Sequence, residues 1–119
     1  MAERKNVGAM TVTQDSGFPV ISVSGYFEEE LYQKFETHVE KFLSEGKVSL
    51  IVDFSRCVAL NSIAIGQFMF LTMRIVEDFQ GSLYLTLANP VMIRVFELAG
   101  ITPPAIIAPT VKDAISQLK

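Results

Sequence analysis

Residues 48–54 constrain the fold more than any other segment of this 119-residue chain. All of them are Val, Leu, Ile or Phe except Ser49 and Asp53. A strand that is apolar on both sides belongs inside a sheet that is covered on both faces, which is the arrangement of parallel sheets in α/β proteins. We therefore expect residues 48–54 to form the central strand of such a sheet.

The rest of the sequence alternates between strand and helix patterns. Segments 11–13 and 20–24 flank the turn residues 15–17 and predict a hairpin, and Pro19 suggests an edge position for its strand. Apolar spacing, capping residues and glycines predict helices at 28–44, 62–79, 90–99 and after Thr110, and strands at 83–87 and 105–108. The order β-β-α-β-α-β-α-β-α predicts an α/β fold with a mixed, mostly parallel five-stranded sheet and about four helices.

Composition and charge exclude several classes of function. The net charge is −3 without a basic block, which argues against binding to nucleic acid. One Cys and one His provide neither an internal disulfide nor the ligand spacing of a zinc site. No apolar run approaches the ~18 residues that span a bilayer. We expect one cytoplasmic domain over residues 1–119, with protein partners, no cofactor, no metal, and no contact with nucleic acid or membrane.

The helix predicted at 62–79 has two apolar stripes. The first must face the sheet and consists of Ile65, Phe68, Met69, Thr72, Ile75, Val76 and Phe79. The second stripe lies on another flank and consists of Ile63, Gly66, Phe70 and Met73. A neighbouring helix of the same domain is one explanation for the second stripe. The other is a partner surface, in which three side chains would each contribute roughly 1.5–3 kcal/mol on full burial and Gly66 would allow close approach.

Two polar residues, Asn61 and Ser62, directly precede the second stripe. Both are residue types that cap helix N-termini, and a cap needs no further function. A phosphoserine would also be stable here, because unpaired backbone N–H groups and the helix dipole favour an anion at a helix start. Its added charge of about −1.5 to −2 would oppose burial of the second stripe by a partner. The residues alone leave both roles open.

Three segments carry a resemblance to a known family. Residues 20–28 end in Gly25-Tyr26-Phe27-Glu28, residues 51–66 have the sequence IVDFSRCVALNSIAIG, and residues 89–101 have the sequence NPVMIRVFELAGI. All three resemble parts of the STAS domain of bacterial anti-sigma factor antagonists. The first resembles a strand that ends in Gly-x-Leu-Asp, the second resembles a strand with the loop and helix start that follow it, and the third resembles the family's third helix. The resemblance covers nearly the whole chain and implies a single STAS-like domain.

The resemblance also implies a partner switch. In this family the unmodified antagonist binds an anti-sigma factor, often itself a serine kinase, and thereby frees a sigma factor for transcription. The kinase phosphorylates a serine in an Asp-Ser-Ser-Gly-like motif, and a serine phosphatase reverses the modification. Transferred to this chain, the acceptor is Ser62, with Asn61 at the preceding acidic position and Glu28 beside it. The chain departs from the motif because Asn61 lacks a carboxylate, Ile63 replaces a small polar residue and Ala64 stands where Gly is usual.

These observations predict a partner-binding site without a catalytic residue, formed by Glu28, Asn61, Ser62, Ile63, Gly66, Phe70 and Met73. Two alternatives remain open: a STAS scaffold or homodimer that is not switched by phosphorylation, and a small-molecule-binding or catalytic α/β domain. Catalysis lacks support, because His38 lies within a helix pattern and the chain has no Gly-rich phosphate loop. We expect Asp53 to bond to the loop that follows it and Cys57 to be a small buried residue.

Overall fold

The computed structural model describes residues 8–87 and 89–119. Within these residues, five strands form one sheet: β1 (Ala9–Asp15), β2 (Phe18–Phe27), β3 (Ser49–Leu60), β4 (Ser82–Thr86) and β5 (Ile106–Ala108). The α-helices are α1 (Glu29–Ser44), α2 (Ser62–Met73), α3 (Pro90–Leu98) and α4 (Val111–Leu118). The observed order of elements is the predicted one.

The sheet has the strand order β1-β2-β3-β4-β5, with β3 at its centre. The pair β1 and β2 is antiparallel, and the other pairs are parallel. The predicted mixed sheet and its central strand are therefore confirmed. The edge position predicted from Pro19 is wrong, because β2 pairs with both β1 and β3. Pro19 fits there because the ladder with β3 starts only at the next residue, Val20, which pairs with Ile51.

Apolar residues on both faces of β3 explain its central position. Val52 and Phe54 belong to the core beneath α1, α2 and α3. This core contains a cluster of five phenylalanine rings, those of Phe27, Phe35, Phe54, Phe68 and Phe96. The centroids of contacting rings lie 5.4–5.9 Å apart. Ile51 points to the opposite face and is buried with Val20 and Tyr84 against α4. The sheet is thus covered by three helices on one face and by one short helix on the other.

The helix α2 differs from its prediction in length and in its buried face. Its α-helical part ends at Met73, and Arg74–Asp78 form a π-helical turn that apolar spacing does not reveal. Phe68 of the predicted sheet-facing stripe is fully buried, but so are Ala64 and, almost completely, Leu71, which that stripe omits. The buried arc is wider than predicted because α2 contacts α1 as well as the sheet.

Candidate functional site

Two neighbouring residues at the start of α2 have different roles. Asn61 is the N-cap: its backbone is extended (φ −87°, ψ 165°), and its Oδ1 accepts a hydrogen bond from the backbone N–H of Ala64 at 2.8 Å. Ser62 is the first residue of the helix, and its side chain is exposed. Within the described residues the Ser62 hydroxyl has no hydrogen-bond partner. Asn61 therefore provides the cap of α2, and the hydroxyl of Ser62 remains accessible from solvent.

A shallow cleft of about 160 Å³ adjoins this helix start. It is lined by Tyr26, Glu28, Ala59, Leu60 and Asn61. The cleft forms because the parallel strands β2 and β3 end together: Phe27 pairs with Leu60, and the backbone N–H of Asn61 donates to the Phe27 carbonyl at 3.4 Å. Glu28 is exposed, and its side chain makes no capping bond with α1. The fold thus brings Glu28 next to Asn61, although 33 positions separate them in the sequence.

The second stripe of α2 is open to solvent at two of its four positions. Phe70 is 72% exposed and Ile63 is 53% exposed, whereas Gly66 and Met73 are half-buried. A Cβ added to Gly66 would meet no atom within 4 Å. Among the described residues, no helix covers Ile63 or Phe70. The intramolecular explanation for the stripe is therefore wrong for Ile63 and Phe70, and its role in partner binding stays a prediction.

The surface next to Phe70 is bordered by charged side chains of α1. Phe70 shares a hollow of about 160 Å³ with Glu36 and Arg74. Arg74 is linked to α1 by two exposed hydrogen bonds to Glu40, from Nε to Oε2 at 2.8 Å and from Nη2 to Oε1 at 3.0 Å. The Tyr32 hydroxyl adds a further link by donating to the Gln67 carbonyl of α2 at 3.1 Å. Phe70 and Glu36 therefore lie beside the same hollow on this surface.

The sequence analysis missed a second apolar feature, which lies between β3, α2 and α3. It is a hollow of about 210 Å³ lined mainly by apolar residues, among them Val58, Ile65, Val91 and Met92. At its rim Val58 is 51% exposed and Val91 is 70% exposed. The continuation of the apolar pattern past Phe54 was the available signal, because it allows β3 to run on to Leu60. The hollow itself depends on how α3 packs, which no local pattern encodes.

Three further residues with reactive side chains do not line the cleft beside the start of α2. Asp53 lies in a different hollow, where its Oδ1 accepts from the backbone N–H of Ser55 at 2.9 Å. The expected bond to a following loop is therefore wrong in its location, because β3 continues to Leu60 and Ser55 lies within this strand. Cys57 is buried, and burial raises the pKa of its thiol to about 11. His38 is half-buried on α1. Over residues 8–87 and 89–119, no three His, Cys, Asp or Glu side chains form a group that could hold a metal ion.

Comparisons with solved structures identify the fold. The anti-sigma factor antagonist SpoIIAA in its unphosphorylated form matches with a TM-score of 0.75 and 19% identity over 92% of this chain and 97% of that chain. The phosphorylated form of SpoIIAA, a Bacillus cell fate determinant, matches with a TM-score of 0.74 and 22% identity over 93% and 100%. An anti-sigma factor antagonist from Mycobacterium paratuberculosis matches with a TM-score of 0.73 and 18% identity over 98% and 97%.

The chain therefore has the SpoIIAA-like fold of the STAS domain, which confirms the fold implied by the three sequence segments. No protein-family model matches the chain, and no curated protein matches it in sequence. In the part of the chain that the structure describes, none of the helices is both long enough and apolar enough to cross a lipid bilayer.

Proposed function

We propose that this chain is a non-enzymatic interaction domain of the anti-sigma factor antagonist type. It binds an anti-sigma factor that is also a serine kinase, through the start of α2 and the second stripe. Phosphorylation of Ser62 by that kinase releases it, and a serine phosphatase restores binding. The domain acts in the cytoplasm, where sigma factors direct transcription. The observation that carries the proposal is the exposed hydroxyl of Ser62, unbonded within the described residues, beside exposed Ile63 and Phe70.

Binding in the unmodified state rests on apolar burial. Ile63 and Phe70 keep more than half of their surface in solvent, and a partner that buries such side chains gains roughly 1.5–3 kcal/mol from each. Aromatic residues at the centre of an interface commonly carry much of its affinity. The open space at Gly66 lets a partner approach the helix backbone between these two side chains.

Release on phosphorylation follows from charge. A phosphoryl group on Ser62 adds about −1.5 to −2 charges at the N-terminus of α2, where the helix dipole tolerates them. The domain therefore stays folded. A partner that buries the group must remove its hydration, and Glu28, at the neighbouring cleft, adds a second negative charge to the same surface. A loss of several kcal/mol in binding corresponds to a decrease of about a hundredfold or more in affinity.

The departures from the family motif do not remove the acceptor. Asn61 retains a short polar cap, so the start of α2 is fixed without the usual carboxylate. Ile63 is bulkier than a small polar residue, but it projects into solvent and leaves the Ser62 side chain exposed. A kinase that accepts this site needs an apolar subsite for Ile63, since the residue directly follows the acceptor.

The deciding experiment is phosphorylation of the purified protein. We incubate it with the anti-sigma factor kinase that co-purifies from the native host and with ATP, and we follow the intact mass and the modified peptide. The proposal expects a gain of one phosphoryl group, absent in Ser62→Ala and unchanged in Ser116→Ala, which removes an exposed serine of α4. No mass gain, or a gain that persists in Ser62→Ala, would contradict the switch.

Self-association is the second candidate, and one observation favours it. The chain exposes the aromatic side chain of Phe70 and an apolar hollow at Val91. Phe70 of one copy could therefore enter the hollow of another copy. Sedimentation at several protein concentrations distinguishes the candidates. A mass that rises with concentration and returns to that of one chain in Phe70→Glu supports a homodimeric scaffold. A single mass for one chain at all concentrations supports the partner switch.

A further inference from the structure

A polar hollow lies on the sheet face that α4 only partly covers. The helix α4 has eight residues and buries Val20, Ile51 and Tyr84 at one end of this face. Beyond that end, the strand register aligns Thr11, Ser22, Asp53 and Thr86 as one row across β1, β2, β3 and β4. Three of them, Thr11, Ser22 and Asp53, line a hollow of about 400 Å³. The face thus changes from apolar to polar where α4 ends.

An irregularity in β3 adds a cation to the same hollow. Ser22 pairs with Asp53, but Ser24 pairs with Arg56, so β3 has one more residue than β2 between these pairs. Such a bulge re-aims side chains and recurs beside functional sites. Here it aligns Arg56 with Ser24, and both line the hollow. Among the described residues, Arg56 has no carboxylate within ion-pair distance.

The carboxylate of Asp53 is held in a fixed orientation. Its Oδ1 accepts from the Thr86 hydroxyl at 2.5 Å and from the Ser55 backbone N–H at 2.9 Å. Burial alone would raise the pKa of Asp53, but the bonds from Thr86 and Ser55 and the charge of Arg56 lower it by more, so the group is ionised near neutral pH. The hollow therefore contains a fixed negative acceptor, Asp53, and a positive donor, Arg56, that makes no salt bridge within the described residues.

We propose that this hollow binds a small organic acid that carries both a carboxylate and a hydroxyl or ammonium group. Arg56 holds the carboxylate, since guanidinium is suited to that planar anion. Asp53 accepts from the hydroxyl or ammonium group, and the hydroxyls of Thr11, Ser22 and Ser24 provide further hydrogen bonds. The volume lies within the range of small-ligand pockets.

Other ligand classes fit this hollow less well. Among the described residues that line the hollow, a multiply charged phosphate ester would meet the ionised Asp53 with one facing cation, Arg56. In the described lining, a divalent metal would find one carboxylate, that of Asp53, and its usual sites use several oxygen ligands. An apolar ligand would leave the row of hydroxyl and carboxylate groups without water.

The site is separate from the surface that carries the proposed function. Asp53 lies between Val52 and Phe54, which both point into the core beneath α1, α2 and α3, so its side chain points to the opposite side of the sheet. Binding of the acid therefore requires neither the Ser62 hydroxyl nor a protein partner. Success or failure of the phosphorylation experiment leaves this inference unchanged.

The test adds four probe compounds to the whole protein and follows the NMR chemical shifts of its backbone amides. Serine and glycerate carry a carboxylate together with a donor, propionate carries only the carboxylate, and glycerol carries only hydroxyls. We expect serine, glycerate or both to give saturable shifts at Thr11, Ser22, Ser24, Asp53 and Arg56, with millimolar affinity. Propionate and glycerol should bind about tenfold more weakly or worse, because each lacks one partner.

Two variants complete the test. Arg56→Gln replaces an exposed side chain and should weaken binding of the acid by about tenfold or more, while Lys34→Gln on α1 removes another exposed cation and should leave it unchanged. Binding of serine alone identifies the donor as ammonium, and binding of glycerate alone identifies it as hydroxyl. The inference is overturned by unsaturable shifts for both acids up to about 50 mM, by equal affinity for propionate, or by unchanged binding in Arg56→Gln.

Discussion

The side-chain oxygen of Asn61 accepts a hydrogen bond from the backbone N–H of Ala64 at 2.8 Å. This bond satisfies one of the four N–H groups that lack an intrahelical partner at the start of a helix. Asn61→Ala should therefore lower the free energy of unfolding by about 1 kcal/mol, measured by urea denaturation. Asn61→Asp keeps an acceptor and should stay within about 0.5 kcal/mol of the parent protein. An equal loss in both variants would contradict the capping role.

Phe70 and Phe68 lie two residues apart on α2 and should respond to substitution in opposite ways. Phe70 is mostly exposed, so Phe70→Glu should change the free energy of unfolding by no more than about 0.5 kcal/mol. It should weaken binding of the anti-sigma factor kinase by about tenfold or more, because an aromatic contact is replaced by a charge.

Phe68→Ala provides the contrast, since Phe68 is fully buried among the core rings. We expect it to cost about 3–5 kcal/mol of stability. Urea denaturation and calorimetric titration with the kinase measure the two effects separately. If Phe70→Glu destabilises the protein as strongly as Phe68→Ala, the exposed flank belongs to the core and the proposed interface is wrong.

Most of the fold was predictable because its strongest signals are local. The apolar segment 48–54 requires cover on both faces, and β3 has that cover at the centre of the sheet. The helix predicted after Thr110 begins there because the Thr110 hydroxyl caps it: it accepts from the Asp113 N–H at 3.1 Å and donates to Oδ2 of Asp113 at 2.9 Å. Pro19 misled the prediction, since its effect depends on where the β3 ladder begins.

The candidate site was predictable only in part, because tertiary contacts decide which flank of a helix is free. Phe70 and Leu71 are consecutive apolar residues of α2, yet Leu71 is buried and Phe70 is exposed, a difference that depends on the position of α1. The hollow near Val58 and Val91 depends on the packing of α3. The bulge that aligns Arg56 with Ser24 likewise arises from the pairing of two strands and has no local sequence signature.

A permanent negative charge at position 62 should imitate the phosphorylated state. Ser62→Glu should weaken binding of the kinase by about tenfold or more, since the partner must bury a charge beside its apolar contacts. The free energy of unfolding should stay equal or rise by about 0.3–1 kcal/mol, because an anion at the first turn of α2 interacts favourably with the helix dipole. Calorimetric titration and urea denaturation test both statements.

Ser116→Glu is the matched control for this charge, because Ser116 is exposed on α4, against the opposite face of the sheet. It should leave kinase affinity unchanged. A similar loss of affinity in both glutamate variants would mean that net charge, rather than the position of Ser62, controls binding.

The thiol of Cys57 should be unreactive in the folded protein. Burial raises its pKa to about 11, so the nucleophilic thiolate is rare near neutral pH, and its sulfur lies against the Ala59 carbonyl at 3.6 Å. We expect a maleimide reagent to label the native chain slowly and the urea-unfolded chain rapidly, as followed by intact mass. Fast labelling of the native protein would show that the thiol is accessible and would contradict its burial.

Thr86→Val should make the protein less stable in a way that depends on pH. The Thr86 hydroxyl donates to Asp53, and this bond helps to lower the pKa of Asp53 below its ordinary value of 3.8. A carboxyl group with a lowered pKa stabilises the fold above its unfolded-state pKa, and this contribution is lost as the pH falls through the folded-state pKa. The stability difference between the parent protein and Thr86→Val should therefore be largest near pH 7 and should shrink toward about pH 3.

Thr72→Val is the control for this pH dependence. Its hydroxyl is also buried but donates to the Phe68 carbonyl at 2.8 Å, which does not titrate. The stability lost in Thr72→Val should be the same at both pH values, because no ionisable group gains or loses a bond. Urea denaturation of both variants at each pH provides the comparison. A difference for Thr86→Val that stays constant between about pH 7 and about pH 3 would mean that the Thr86 bond does not stabilise the ionised form of Asp53.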